Sequence, residues 1–175
     1  VRDINTAMYE STRLLLTTGK STRYANIIID EGQDFSDNAY RLIRAMAGEE
    51  HPNDIFVVGD SHQRIYRNHP TLSKCGINVR GRSSILKINY RTTEEIRKHA
   101  FALLNGISFD DLDDEVDLGD KCQSLTHGEK PVITNFNNAN DEFEFIAQEI
   151  KNLKANGVEQ TDICVVARTK KLVED

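Results

Sequence analysis

The sequence predicts an α/β fold with mostly parallel sheets flanked by helices. Three observations carry that expectation. Two short apolar runs each end in acid: Ile27-Ile28-Ile29-Asp30-Glu31 and Ile55-Phe56-Val57-Val58-Gly59-Asp60. Unbroken β-branched and aromatic runs of this kind read as strands buried on both faces. A stretch with helical periodicity, Ser36 to Ala47, lies between them, so the pair reads as a right-handed βαβ unit. A similar alternation returns later, with strands expected over 131–136 and 162–167 around a helix that Asn140 would cap.

The chain has 175 residues, 38% hydrophobic and 29% charged, as expected of a globular chain rather than a disordered one. No apolar run approaches the ~20 residues of a membrane span, and no signal peptide or initiating Met opens the chain. Beginning at Val1, it is expected to be a piece of something longer. Cys75, Cys122 and Cys164 are scattered and form no Cys-x-x-Cys pair. That argues against a zinc site or disulfide framework, and for a reducing, cytoplasmic setting. The net charge of −6 does not advertise nucleic-acid binding. Its distribution is uneven, however. Between Arg64 and Lys98 nine basic residues meet only Glu94 and Glu95, which leaves +7 there and −13 elsewhere. Such a stretch is either a phosphate footprint or a solvated face.

In chain order, residues 4–16 are expected to form a helix capped by Asp3 or Asn5, with Ile4, Ala7, Met8, Leu14 and Leu15 near one face. Gly19-Lys20-Ser21 is similar to the tail of a phosphate-binding loop. That loop requires a further glycine where Leu14 stands, and a strand before it, so the segment reads as a connection. Ser36 caps the next helix, with Ala39, Ile43, Met46 and Ala47 inward. Residues 67–82 read as basic and irregular. A short strand is expected over Ser84–Asn89, followed by a Thr92-x-x-Glu95 capping box and a helix with Ile96, Ala100, Leu103 and Leu104 inward. Seven acids crowd Asp110–Asp120, read as an exposed loop, with calcium binding a poorly spaced alternative. The helix after Asn140 would bury Phe143, Ile146, Ala147, Ile150 and Leu153 and end at Gly157.

The chemistry lies at the strand ends. Ligands of open α/β sheets bind beyond the carboxyl ends of strands. There, Asp30 can hold Mg²⁺, which favours hard oxygen ligands, and Glu31 can orient or deprotonate a water for attack on phosphorus. Gln63 can reach a terminal phosphate or its attacking water. Tyr66 can stack on a base. Each also has a plainer role: Asp30-Glu31 as a solvated turn, Gln63 as a turn residue, Tyr66 as half-buried core. Gln33, Asp34 and Asp60 stand between site residues and structural struts or acceptors.

Three motifs stand in order: Asp30-Glu31-x-Gln33-Asp34, Gly59-Asp60-x-x-Gln63-x-Ile65-Tyr66 and Leu86-x-x-Asn89-Tyr90-Arg91. This arrangement resembles the superfamily 1 DNA helicases of the UvrD/Rep/PcrA type at their motifs II, III and IV. The likeness covers roughly residues 24–105 and 131–170. It implies parts of two RecA-like (P-loop NTPase-type) domains, residues 1–83 and 84–175. It implies ATP and Mg²⁺ as cofactors and single-stranded or duplex DNA as partner, with no membrane. Asp30 and Glu31 would lie at the metal, with Glu31 activating water. Gln63 would sense the γ-phosphate, Tyr90 would stack on adenine, and Arg91 would act as an arginine finger. Tyr66, with Arg64 and Arg67, would lie near single-stranded DNA. After Tyr66 the chain reads Arg67-Asn68-His69-Pro70 rather than the family's Gly-aromatic-Arg-Gly-Ala, which weakens the case for stacking there.

The phosphate-binding loop and the later motifs V and VI are not in these 175 residues. The resemblance therefore implies the middle of a longer motor, inactive in isolation and prone to self-association through uncovered sheet edges. The leading expectation is a piece of an ATP-dependent DNA helicase or translocase. Alternatives are the motor of a helicase–nuclease or a catalytically inactive DNA- or protein-binding module. A Mg²⁺-dependent phosphatase would leave Tyr90-Arg91 without a role.

Overall fold

Tyr40 is the centre of the core, with 0% of its surface exposed. It packs with Ile29, Leu72, Cys75 and Ile77, and Ile27, Phe35, Ile43, Ile55, Val57 and Val79 lean on that cluster. The computed structural model describes residues 3–19, 24–64, 70–105, 109–110, 116–117 and 122–169. These fall into two compact units, Val1–Lys130 and Pro131–Asp175.

In the first unit, α1 spans Ile4–Thr18 and is capped by Asp3, whose Oδ1 accepts from Thr6 N at 2.7 Å. Gly19 ends it in the left-handed region, its N–H donating to Leu15 O. A helix C-terminus therefore stands where a phosphate loop would need a strand. The inner stripe of α1 is Met8, Thr12 and Leu15, half-buried at helical spacing, whereas Ile4 and Leu14 are exposed. The helix packs on α2, Asp37–Ala47, and Ser36 Oγ, the α2 cap, also donates to Asn5 Oδ1.

Strands β1, Ile27–Ile29, and β2, Ile55–Val57, flank α2 in sequence and pair in parallel, with Ile28 opposite Phe56. This matches the expected βαβ order. Their burial does not match. Ile28 is 77% and Phe56 62% exposed, so among the described residues only the Ile29 face of this sheet is covered. A parallel sheet needs layers on both faces, and the core cluster with α2 supplies one. The stretch expected to be irregular, 67–82, contributes core: Leu72, Cys75 and Ile77 are buried around a single turn of helix at Ser73–Cys75. Arg44 binds Asp54 at 2.7 Å below β2. Burial raises the Asp54 pKa, but Arg44, with the N–H groups of His51 and Ile55, outweighs that and holds the carboxyl below its usual range.

The expected strand over 84–89 shrinks to β3, Ile88–Asn89. Helix α3, Glu94–Ala102, follows it. Its cap is Thr93, one residue beyond the expected Thr92, because Thr92 Oγ1 instead accepts from Asn89 Nδ2 at 2.7 Å. Within the acidic stretch, β4, Phe109–Asp110, pairs antiparallel with β5, Val116–Asp117. Strand β6, Gln123–Ser124, pairs in parallel with β3.

The second unit is organised by α4, Ala139–Ala155, capped by Asn138 rather than Asn140: Asp141 N donates to Asn138 Oδ1 at 3.0 Å. Gly157 follows it with φ 88°. Phe143, Phe145 and Leu153 remain substantially exposed, with Phe136 and Phe145 rings 5.2 Å apart. Among the described residues, neither 131–136 nor 162–167 forms a strand ladder. Val132, Ile133 and Val166 are exposed there. A lone strand pair without an apolar cover is marginal in water, so sequence pattern alone does not secure pairing. No helix among the described residues is long and apolar enough to cross a membrane. Cys75, Cys122 and Cys164 are free thiols.

Candidate functional site

Beyond β1 the backbone turns sharply. Asp30 Oδ1 accepts from Glu31 N at 2.9 Å, and Glu31 takes φ 52°, in the left-handed region. A non-glycine residue there costs of order 1 kcal/mol or more, so the surroundings must hold it. They do so through the single turn Gly32–Asp34. Gly32 N donates to Val58 O, and Gly32 O accepts from the buried Tyr40 hydroxyl at 2.7 Å. Any Cβ at Gly32 would fall 2.6 Å from Val57 Cγ1 and 2.7 Å from Tyr40 Oη. The glycine lets the turn after β1 lie flat on the end of β2. Burial pushes the Tyr40 phenol pKa up, so it remains a hydrogen-bond donor.

Gln33 joins the two strand ends. Its side chain is almost wholly buried, with 2% exposure for the residue. Nε2 donates to Glu31 Oε2 at 2.7 Å, and Oε1 accepts from Asp60 N at 3.0 Å. Asp60 in turn organises the turn Ser61–Gln63. Its Oδ1 accepts from His62 N and lies 3.1 Å from His62 Nδ1, while Oδ2 accepts from Gln63 Nε2 at 2.8 Å. Two of the three residues left open by the sequence thus resolve: Gln33 is a strut and Asp60 an acceptor that shapes the Gln63 turn. The structure gathers Asp30, Glu31, Gln33, Asp60 and Gln63 through one run of hydrogen bonds. Arg64, at the end of that turn, is half-buried, and its charge reaches the Tyr40 phenol. Tyr66 and Arg67 lie outside the described residues.

Tyr90 and Arg91 occupy a second turn. Asn89 Oδ1 accepts from Arg91 N at 2.8 Å and Thr92 N at 3.2 Å, an Asx turn closing β3. Tyr90 is 76% exposed and Arg91 is exposed, so both side chains are available to a ligand. Behind this turn is an arrangement that sequence reasoning missed. Glu94 takes a two-pronged ion pair from Arg97 at 2.6 and 2.9 Å and accepts from Ser124 N at 2.9 Å. Glu95 accepts from Gly128 N at 2.9 Å and meets His127 Nδ1 at 2.9 Å. The Arg97 bond, then the Ser124 amide, pulls the Glu94 pKa down to about 2. His127, then the Gly128 amide, pulls Glu95 down to about 2. The available signal was that these are the only acids in the +7 stretch.

Comparison with known proteins places these motifs in context. Residues 84–174 match the UvrD-like helicase C-terminal domain, and residues 5–69 match the UvrD/REP helicase N-terminal domain. This chain belongs to the UvrD-like helicase family. It is 27% identical over 159 residues to the probable DNA helicase II homolog of Mycoplasma pneumoniae, covering 86% of this chain and 22% of that protein. It is 28% identical over 154 residues to DNA helicase II of Escherichia coli, covering 84% and 20%. With the mitochondrial ATP-dependent DNA helicase HMI1 of Saccharomyces cerevisiae it shares 26% over 157 residues, covering 84% and 22%. The chain spans about a fifth of the length of these relatives.

Proposed function

We propose that this chain is the junction between the two motor domains of an ATP-dependent DNA helicase, a protein that moves on single-stranded DNA and unwinds duplex. The observation that carries the reading is the Gln33 amide joining Glu31 to Asp60. It ties a carboxylate suited to activating water to the turn bearing Gln63. The places of the two family matches support motor domains at residues 1–83 and 84–175.

In this reading Asp30 and Glu31 would hold Mg²⁺, which would supply charge neutralisation at the phosphates. Among the described residues no cluster of three or more His, Cys, Asp or Glu side chains could hold a metal ion. Two carboxylates suffice for Mg²⁺, which completes its shell with water and substrate phosphates. Glu31 orients the attacking water and accepts its proton. Gln63 contacts the γ-phosphate through its amide. Arg91 offers a guanidinium to the charge that spreads over the transferred group, and Tyr90 gives a flat face to the adenine. Arg64, Tyr66 and Arg67 would contact the DNA strand.

The chain alone carries no Gly-x-x-x-x-Gly-Lys-[Ser/Thr] loop, so we expect it neither to bind ATP tightly nor to hydrolyse it. Its open Ile28–Phe56 face and Val58 favour self-association in isolation. The deciding experiment uses the full-length polypeptide that carries this segment. Single-stranded DNA should stimulate ATP hydrolysis, and Glu31→Gln should cut kcat at least 100-fold while nucleotide still binds. DNA-independent turnover, or an active Glu31→Gln variant, would exclude the reading.

A further inference from the structure

We propose that Gln33 is the positioning residue of the hydrolytic site, setting the Glu31 carboxylate and the Gln63 turn in one register. The inference rests on the motor reading above and assigns a role to a side chain that would not itself touch nucleotide.

The chemistry of the amide leaves one orientation. Its two neighbours are a carboxylate oxygen 2.7 Å away and a backbone N–H 3.0 Å away. Turning the amide over would set oxygen against oxygen and NH₂ against N–H, losing both bonds. A single buried group therefore reports on both strand ends at once. Burial strengthens the constraint, because an unmet polar atom there is costly.

The surroundings leave space for this amide and little else. A Cβ at Gly59 would lie 2.9 Å from Gln33 Oε1 and 3.2 Å from Gln33 N. Glu31 sits in the left-handed region at φ 52°, and its side chain is anchored through Oε2 by the strut. That anchorage determines where Oε1 can meet a water. Asp60, whose N–H takes the other end of the amide, shapes the following turn through His62 and Gln63. A movement of the Gln63 turn must therefore be felt at Glu31, and the reverse.

The test uses the full-length polypeptide and DNA-stimulated ATP turnover. Gln33→Met keeps length and apolar bulk but loses both hydrogen bonds. It should lower kcat at least tenfold with KM for ATP within twofold of the parent. Gln33→Glu keeps an acceptor for Asp60 N but cannot donate to Glu31 when ionised, and it should lose turnover similarly. Pairing it with Glu31→Gln reverses donor and acceptor. That double variant should recover the thermal midpoint lost in Gln33→Glu without recovering turnover, which separates folding from function. If Gln33→Met does not fold, Gln33→Glu decides. A kcat within twofold of the parent in either folded variant, or a loss residing wholly in KM, overturns the proposal. Full turnover in the Glu31→Gln control would remove the motor reading itself, and the Gln33 role with it.

Discussion

The His62 ring lies edge-on against Phe101, centroids 5.1 Å apart, and the Arg97 guanidinium carbon lies over the same phenyl ring, 5.6 Å from its centroid. The turn that presents Gln63 thus leans on α3, and α3 is anchored to the backbone of β6 through Glu94, which Arg97 holds in place. The contact runs from residues matched by the N-terminal domain model to residues matched by the C-terminal one.

Removing that ring should be felt at both ends. Phe101→Ala is expected to cost about 1–2 kcal/mol, since Phe101 is only half-buried and loses one aromatic pair and one cation contact. Urea unfolding of the 175-residue chain measures it. An unchanged midpoint would mean that the His62–Phe101 contact does not persist in solution.

Tyr40→Phe removes a buried hydroxyl from Gly32 O, which keeps a second donor in Phe35 N at 3.2 Å. The expected loss is about 1 kcal/mol, near the usual net worth of one hydrogen bond. The same denaturation experiment reads it, and the cost should be smaller than for Tyr40→Ala.

Gly59→Ala should be worse than its size suggests. The new methyl would press on Gln33 Oε1 and on the Gln33 backbone nitrogen, and backbone cannot swing aside. We expect about 1–3 kcal/mol of destabilisation. Amide exchange at Asp60 should quicken, as its N–H loses the Gln33 acceptor. Unchanged protection at Asp60 would show that the turn absorbs the methyl.

Acid should loosen the α3 clasp. Glu94 and Glu95 each titrate near 2 in the folded chain against 4.5 ordinarily. A depressed carboxyl pKa stabilises the fold above the unfolded value, and that contribution is lost as pH falls through the folded one. The stabilisation should therefore fade between about pH 4.5 and 2, while the amides of Ser124 and Gly128 should keep their carboxylate acceptors until the pH approaches about 2. NMR titration of those two N–H groups follows the change directly. Shifts already complete at pH 5 would contradict it.

Much of the fold was legible in local pattern. Ile27–Ile29 and Ile55–Val57, with the α2 stripe between them, announced a parallel unit because apolar periodicity and acidic strand ends are properties of adjacent residues. Ser36 announced a helix start for the same reason, and Asp3 was one of two caps the sequence offered for α1. The Asp30-Glu31 pair and Gln63 were legible by residue type and place, and Tyr90-Arg91 by motif alone. Caps were less so: Thr92 and Asn140 satisfied the local rule, but Thr92 was claimed by Asn89, and Asn138 opened α4.

By itself the sequence determined the βαβ order, the acidic strand ends and the family to which the chain belongs. These depend on residue type and spacing along the chain. Tertiary structure alone decided that the Gln33 amide reaches Asp60 as a strut, and that Glu94 and Glu95 clasp the backbone at Ser124 and Gly128. It also decided that, among the described residues, one face of the β1–β2 sheet is uncovered. Each of these is a contact between residues distant in sequence, or the lack of a covering layer. A hydrogen bond across 27 residues, or a face with nothing laid on it, leaves no periodicity to read.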